Sequence, residues 1–600
     1  MGTREKGSLS RRHDGAGAVW RPVLATCVGL SLAGVGSAAP VRLVDQAPVA
    51  VSSVAPGVVL VDFGRVAFGN LRLSPPAGGA GKVTVHFGEA LAGGRIDRTP
   101  PGTVRYGRAE VELADGKPVI VAPPADERNT RHPAAVRTPA EWGVVLPFRW
   151  VEVEGWPGAF HPELIVRRAA FAAGWDDEAA AFASSDAVLD RVWELCRYSI
   201  KATTFAGVYV DGDRERIAYE ADAYINQLGH YAVDPDVLMA RDTFDRLTRF
   251  PTWPTEWASH MIFVAHADWM QTGDRAWLAA RYESLKPKLQ LDRARADGLI
   301  TSTEAQIERG DIVDWPAGER DGFVFRPVNT VVNAFHLRSL ALMAELAAAL
   351  GKDAEGRAYA DRGRAARRAF QEKLFDAGRG LYRDGEGTDH ASLHANLFPL
   401  AFGLVPAELR PAVVEWLAGR GMACSVYAAQ YLLEALFEHG ADRRALQLFT
   451  APTDRSWRHM LDSGTTITWE AWDTRYKPNQ DWNHAWGTAP ANLLPRYVLG
   501  ARPLAPGWTR ALVRPHAGAL TKAEGKIPTP HGPVTVCWEK GDRFRMHLAL
   551  PRGTSAKVQL PAAEGTTGVW LDGQRVPAAR DGAWWTLEQD VSGRVQLEVR

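Results

Sequence analysis

The chain is 600 residues long, carries 70 Lys and Arg against 70 Asp and Glu, and is 46% hydrophobic. That length exceeds what a single hydrophobic core serves, so more than one domain is expected, and the zero net charge gives no field to attract nucleic acid or an anionic membrane. Its 22 Trp residues are many for a soluble protein and serve either large cores or stacking on flat ligands such as sugar rings.

Residues 1–39 read as an export signal. Arg4, Lys6, Arg11, Arg12 and Arg21 make a basic start, Val23 to Val35 is apolar and small, and Ser37-Ala38-Ala39 offers a cleavage site. The expected product is periplasmic or secreted, with no membrane attachment after cleavage. Arg11-Arg12 leaves the Sec and twin-arginine routes both open. No later stretch reaches the ~18 apolar residues of a membrane-spanning helix. Cys196, Cys424 and Cys537 are too far apart for a disulfide framework or a metal-ligand spacing, and no metal or cofactor is expected.

Residues 41–175 carry strand signals. Val58-Val59-Leu60-Val61-Asp62-Phe63-Gly64, Lys82-Val83-Thr84-Val85-His86-Phe87 and Trp150-Val151-Glu152-Val153 are short apolar or alternating runs between Gly/Pro clusters, which predicts a β-sandwich. Residues 178–500 turn helical. Asn333 to Leu350 is rich in helix formers and stops at Gly351, and Gln430 to Phe437 runs on to Gly440. Long irregular segments at 250–257, 307–325 and 461–488 carry Trp, Asp and Gly, as functional loops do. Helices with elaborate loops on one side predict an α/α toroid. Alternation returns over 503–600, as in Val534-Thr535-Val536-Cys537-Trp538, and predicts a second β-domain.

The densest polar cluster is Asp211-Gly212-Asp213-Arg214-Glu215-Arg216, followed by Tyr219 and Asp222. If Asp211 or Asp213 caps a helix here, Glu215, Tyr219 and Asp222 share one face. A second cluster, Thr465 to Asp473, sets Glu470 between Trp469 and Trp472, where apolar rings raise the cost of its charge. Asp481-Trp482-Asn483-His484, Trp253 to Trp257 with Glu256, and Asp314-Trp315 continue the mixture of acids and rings. Paired carboxylates with aromatic planes suit glycoside hydrolysis, in which one acid protonates the leaving oxygen and a second carboxylate activates water or attacks directly.

These residues resemble glycoside hydrolase family 78, the α-L-rhamnosidases. The family's Arg-Glu-Arg-x-Gly-Trp-x-Gly-Asp stretch is matched by Arg214 to Asp222, with Tyr219 in place of Trp and Ala218 and Ala221 in place of Gly. Its Thr-Thr-x-Trp-Glu segment is matched by Thr465 to Glu470 with one extra residue, and its Asn-His-x-x-Gly by Asn483 to Gly487. The resemblance implies a β-sandwich, an (α/α)6 barrel and a C-terminal β-domain. It implies an inverting, exo-acting enzyme with Glu215 as general acid and Glu470 as general base, acting on a small glycoside or an oligosaccharide. It further implies a sugar-binding wall of Asp211, Arg214, Tyr219, Asp222, Glu256, Trp315, Trp469 and His484. Arg214 and Arg216 favour a charged Glu215, so a working acid requires them to turn away, toward Asp211 and Asp213. Two other readings fit the same clusters: a hydrolase or lyase acting on another deoxy sugar or a uronide-containing polysaccharide, with Tyr219 and Arg214 serving a lyase, and a non-catalytic carbohydrate-binding protein. Nothing in the sequence sets an oligomeric state.

Overall fold

The computed structural model describes residues 40–600, so the expected export signal lies outside the described residues. Eight strands between Val41 and Ala172 form one antiparallel sheet. Alternation places them: Val83, Val85 and Phe87 of the strand Gly81–Gly88 are all buried on one face. The long strand Val58–Leu73 shifts register against Leu146–Glu154 between Asp62 and Ala67, and a bulge of this kind bends a strand. Val61 before the bulge, Phe63 within it, and Leu71 and Leu73 after it enter one core with Val85 and Phe148. The expected sandwich is therefore a single sheet bent around its own core.

Helices occupy most of the chain from Ala187 to Leu499, joined as hairpins such as Thr330–Ala349 with Asp353–Leu374. Thr330–Ala349 ends where Gly351 takes φ 75° and the Lys352 N–H reaches the Ala347 carbonyl at 2.8 Å. Ala428–Glu438 closes in the same manner at Gly440. Contrary to expectation, Thr330–Ala349 is long and apolar enough by composition to cross a membrane, but most of it is buried inside the protein, where its apolar sides meet other helices. Rings fill the middle of the helical domain: Phe335 lies against His260, Phe398, Phe402 and Tyr431. Tyr427 stacks on Trp486 at 5.8 Å and carries this layer up to the loops.

The C-terminal part contains a seven-stranded and a six-stranded sheet. One strand of the first is Ala181–Ser184, which runs antiparallel to Lys522–Ile527. That corrects the expectation of helix from 178 onward: the first helix starts only at Ala187, where the Asp186 carboxylate accepts from the Val188 and Leu189 N–H groups. The Trp538 indole donates to the Val498 carbonyl at 2.8 Å, and the apolar residues of the helices and the C-terminal sheets form one continuous core.

Candidate active site

The segment 211–219 is not helical, contrary to the sequence reading. The Asp211 carboxylate accepts from the Ile217 N–H at 2.9 Å, while the Asp211 N–H donates to the Ile217 carbonyl, closing a compact loop. Gly212 at φ 112° and Arg216 at φ 53° take left-handed conformations that a helix does not hold. A Cβ on Gly212 would lie 2.8 Å from Asp481 Oδ2, so only glycine fits there. The helix starts at Glu220, with Tyr219 extended as its cap. Glu215, Tyr219 and Asp222 still share one surface, brought there by the loop, and the Tyr219 hydroxyl donates to Glu215 Oε2 at 3.1 Å.

Both arginines turn away from full engagement with Glu215. Arg216 takes the expected partner and donates twice to Asp213 Oδ1, at 2.6 and 2.9 Å. Arg214 does not go to Asp211 or Asp213. It clamps Glu470, Nη1 to Oε2 at 2.7 Å and Nη2 to Oε1 at 3.1 Å, and reaches Glu215 only through a longer Nε contact of 3.3 Å. One guanidinium thus stands between the two carboxylates.

Glu470 is almost wholly buried in a non-helical turn, and it also meets the Asp481 N–H at 3.2 Å and Lys477 Nζ at 3.3 Å. Burial works against its charge, but the hydrogen bond and charge of Arg214, with help from Lys477, outweigh burial and hold the carboxyl below its ordinary value. The neighbouring Trp rings therefore do not set its protonation, as the sequence suggested. Asp481 behaves in the opposite sense: burial pushes it up to about 7 in spite of Arg214.

The pocket between these groups encloses about 470 Å³. Of the expected wall residues, Asp211, Arg214, Tyr219, Asp222, Trp315 and His484 line it together with Glu215 and Glu470. Two do not. Glu256 lies behind Ile312, accepting from the Ile312 and Val313 N–H groups, and so shapes the loop that carries Trp315. Trp469 stacks on Trp482 at 4.8 Å, away from the pocket. Trp253, Trp257 and Trp486 complete the lining. The density of Trp in the 250–257 and 461–488 segments signalled them, without saying which ring faces inward.

Asp222 and His484 face each other at 3.6 Å. Burial raises Asp222 well above its ordinary value and lowers His484 to about 3, so the imidazole is neutral near pH 7. Asp222 Oδ1 and His484 Nδ1 are buried with no hydrogen-bond partner among the described residues. Such groups are costly unless a ligand completes them.

The N-terminal sheet domain reaches this site. Arg105 Nε donates to Asp213 Oδ2 at 2.5 Å, the Thr103 hydroxyl donates to Asp481, and Glu89 accepts from Asn483 Nδ2 at 3.1 Å. Burial alone would raise Asp213, but Arg105 and Arg216 together hold it below its ordinary value.

The family model of the bacterial alpha-L-rhamnosidase 6 hairpin glycosidase domain matches residues 177–498, that of the concanavalin-like domain 52–171, and that of the C-terminal domain 500–571. An alpha-L-rhamnosidase of Alteromonas sp. (strain LOR) is 25% identical over 568 residues, covering 87% of this chain and 58% of the relative. One from Streptomyces avermitilis is 26% identical over 320 residues, 51% of this chain and 29% of its own length. The chain thus spans less than two thirds of these relatives. Among solved structures, the alpha-L-rhamnosidase from Dictyoglumus thermophilum superposes with a TM-score of 0.77 at 18% identity, over 94% of this chain and 64% of that one. The Streptomyces avermitilis enzyme complexed with L-rhamnose gives 0.74 at 20% identity, over 94% and 54%. With more than half of its length matched by the helical-domain model alone, and with the three-part architecture shared, the chain belongs to the bacterial alpha-L-rhamnosidase six-hairpin glycosidase family.

Proposed function

We propose that the protein is an exo-acting, inverting α-L-rhamnosidase that releases terminal rhamnose from oligosaccharides or small glycosides. The observation that carries this is the placing of Glu215 and Glu470 on either side of one guanidinium, at a pocket walled by rings and unpartnered buried polar atoms. Glu470, held charged, takes a proton from water as the water oxygen bonds to the anomeric carbon. Glu215 gives its proton to the glycosidic oxygen as the bond from that carbon breaks. Donors already occupy both Glu470 oxygens, so the water displaces one, and Lys477 at 3.3 Å is the longest of these contacts. Asp222 and the neutral His484 are left to bind sugar hydroxyls, and apolar ring faces suit the C–H face of a deoxy sugar. The basic and then apolar leader supports an exported enzyme.

A lyase needs a side chain able to abstract a carbon-bound proton. Burial and the nearby Asp211 and Glu215 carboxylates push the Tyr219 hydroxyl upward, which argues against it as that base. The test is p-nitrophenyl α-L-rhamnoside followed by proton NMR. Release of nitrophenol with the β anomer of rhamnose appearing first is expected. Initial release of the α anomer would overturn inversion, and an inert wild type would overturn the substrate.

A further inference from the structure

One ring of the pocket has no partner among the described residues. Tyr219 packs edge-on to Trp257, Trp257 meets Trp486, and Trp486 stacks with Tyr427. Lys477 lies over Trp315. Trp253 lines the same pocket with neither a ring contact nor a hydrogen bond to its indole among the described residues, and it is 54% exposed. Leaving so large an apolar surface in water is unfavourable, and the nearby Phe250 is exposed as well.

The exposure does not come from a slack loop. On one side of Trp253, the Thr252 N–H donates to Glu220 Oε1 at 3.0 Å and the Thr252 hydroxyl donates to the other oxygen of the same carboxylate. On the other side, the Thr255 N–H donates to the Gly310 carbonyl at 2.8 Å, and Gln290 donates to the Thr255 carbonyl at 2.9 Å. The ring is pinned from both flanks, and a surface fixed in advance loses little freedom when a ligand lands on it.

Depth shows which part of a ligand it would meet. The Glu470 side chain is 3% exposed and that of Glu215 is 38% exposed, so the line from base to acid runs outward. The leaving oxygen lies on the acid's side, toward the mouth where Trp253 stands. We infer that Trp253 is the platform for the leaving group, stacking on the apolar face of the sugar or aromatic ring attached to the departing oxygen. This rests on the glycosidase reading above and assigns its outer specificity.

The test compares α-L-rhamnosyl fluoride, whose leaving group has no ring, with a rhamnosyl-glucose disaccharide, in wild type, Trp253→Ala and Trp253→Phe. The expected result is that Trp253→Ala loses about tenfold in kcat/KM on the disaccharide, mostly through KM, and stays within about twofold on the fluoride. Trp253→Phe recovers most of the loss. Equal losses on both substrates, or no loss on either, would overturn the inference. If wild type leaves the fluoride intact, the glycosidase reading itself fails, and that outcome is separate from the other two.

Discussion

Arg105, on the N-terminal sheet domain, donates to the carboxylate of Asp213, which stands two residues ahead of Glu215 and is held from its other side by Arg216. The loop bearing the proposed acid is therefore tied to a different domain from the one that carries it. The sheet domain is part of the site, where it would otherwise pass for an appended module.

Replacing Arg105 tests this. Removing one partner of a buried ion pair costs ~3–5 kcal/mol. The lower end applies here, because Asp213 keeps Arg216. Arg105→Ala should lower the melting temperature, and activity should drop at least tenfold at temperatures where the variant is still folded. Adding Asp213→Asn should lower stability further, because it also strips the buried Arg216 of its carboxylate partner. Full activity in the single variant would show that the loop holds its shape unaided.

The Arg214 clamp predicts the pH profile. Glu470 is depressed in the folded protein, so the stability its charge contributes is present above its unfolded pKa and is lost as pH falls through the lower, folded one. As the proposed base, Glu470 should likewise stay active into acid, and the acidic limb of kcat/KM should lie below the usual Glu range. In Arg214→Gln that limb should move up by ~1–3 pH units, the span that a neighbouring Arg commands. An unmoved limb would mean that the limb reports another group.

The two carboxylates should differ in how the leaving group affects their loss. Glu470→Gln should cost ~10²–10⁴-fold on every rhamnoside, because water must be deprotonated whatever departs. Glu215→Gln should cost as much on a sugar leaving group but far less on p-nitrophenolate, which scarcely needs a proton. Equal losses on the two leaving groups would remove Glu215 from the acid's role.

Glu319 is buried beside Arg455 with neither carboxylate oxygen hydrogen-bonded among the described residues, and burial pushes it up to about 8. A raised carboxyl gives stability that is full below its unfolded value near 4.5 and is lost as pH rises through about 8. Glu319→Gln removes that loss, so its melting temperature should gain on wild type between pH 5 and pH 9. A constant difference across that range would count against a buried protonated Glu319.

Much of this was legible in the sequence because the signals were local. Gly351 and Gly440 mark helix ends through their own φ, and the alternation of Val83, Val85 and Phe87 marks a strand face. The carboxylates Glu215 and Glu470 stood out by the residues beside them. The loop at 211–219 did not, because its shape comes from Asp481 and Asn483, far along the chain, and from two left-handed residues, while its acids mimic a helix start. Arg214 was assigned the wrong partner for the same reason: Asp211 and Asp213 are near in sequence, but Glu470 is near in space. Glu256 and Trp469 show the remaining limit. A polar or aromatic residue in a functional loop can equally serve to hold that loop, and composition does not tell the two apart.

The strand Ala181–Ser184 has a consequence for how the chain is made and for how it can be cut. It leaves the ribosome before any helix of the central domain, but its partner Lys522–Ile527 emerges only after the last of them. This edge strand of the seven-stranded sheet waits for its partner until synthesis is nearly done, a pairing of high sequence separation that slows folding and leaves a strand edge open meanwhile. Anyone excising the C-terminal sheets as a module must carry this four-residue piece with them, by circular permutation or as a grafted peptide.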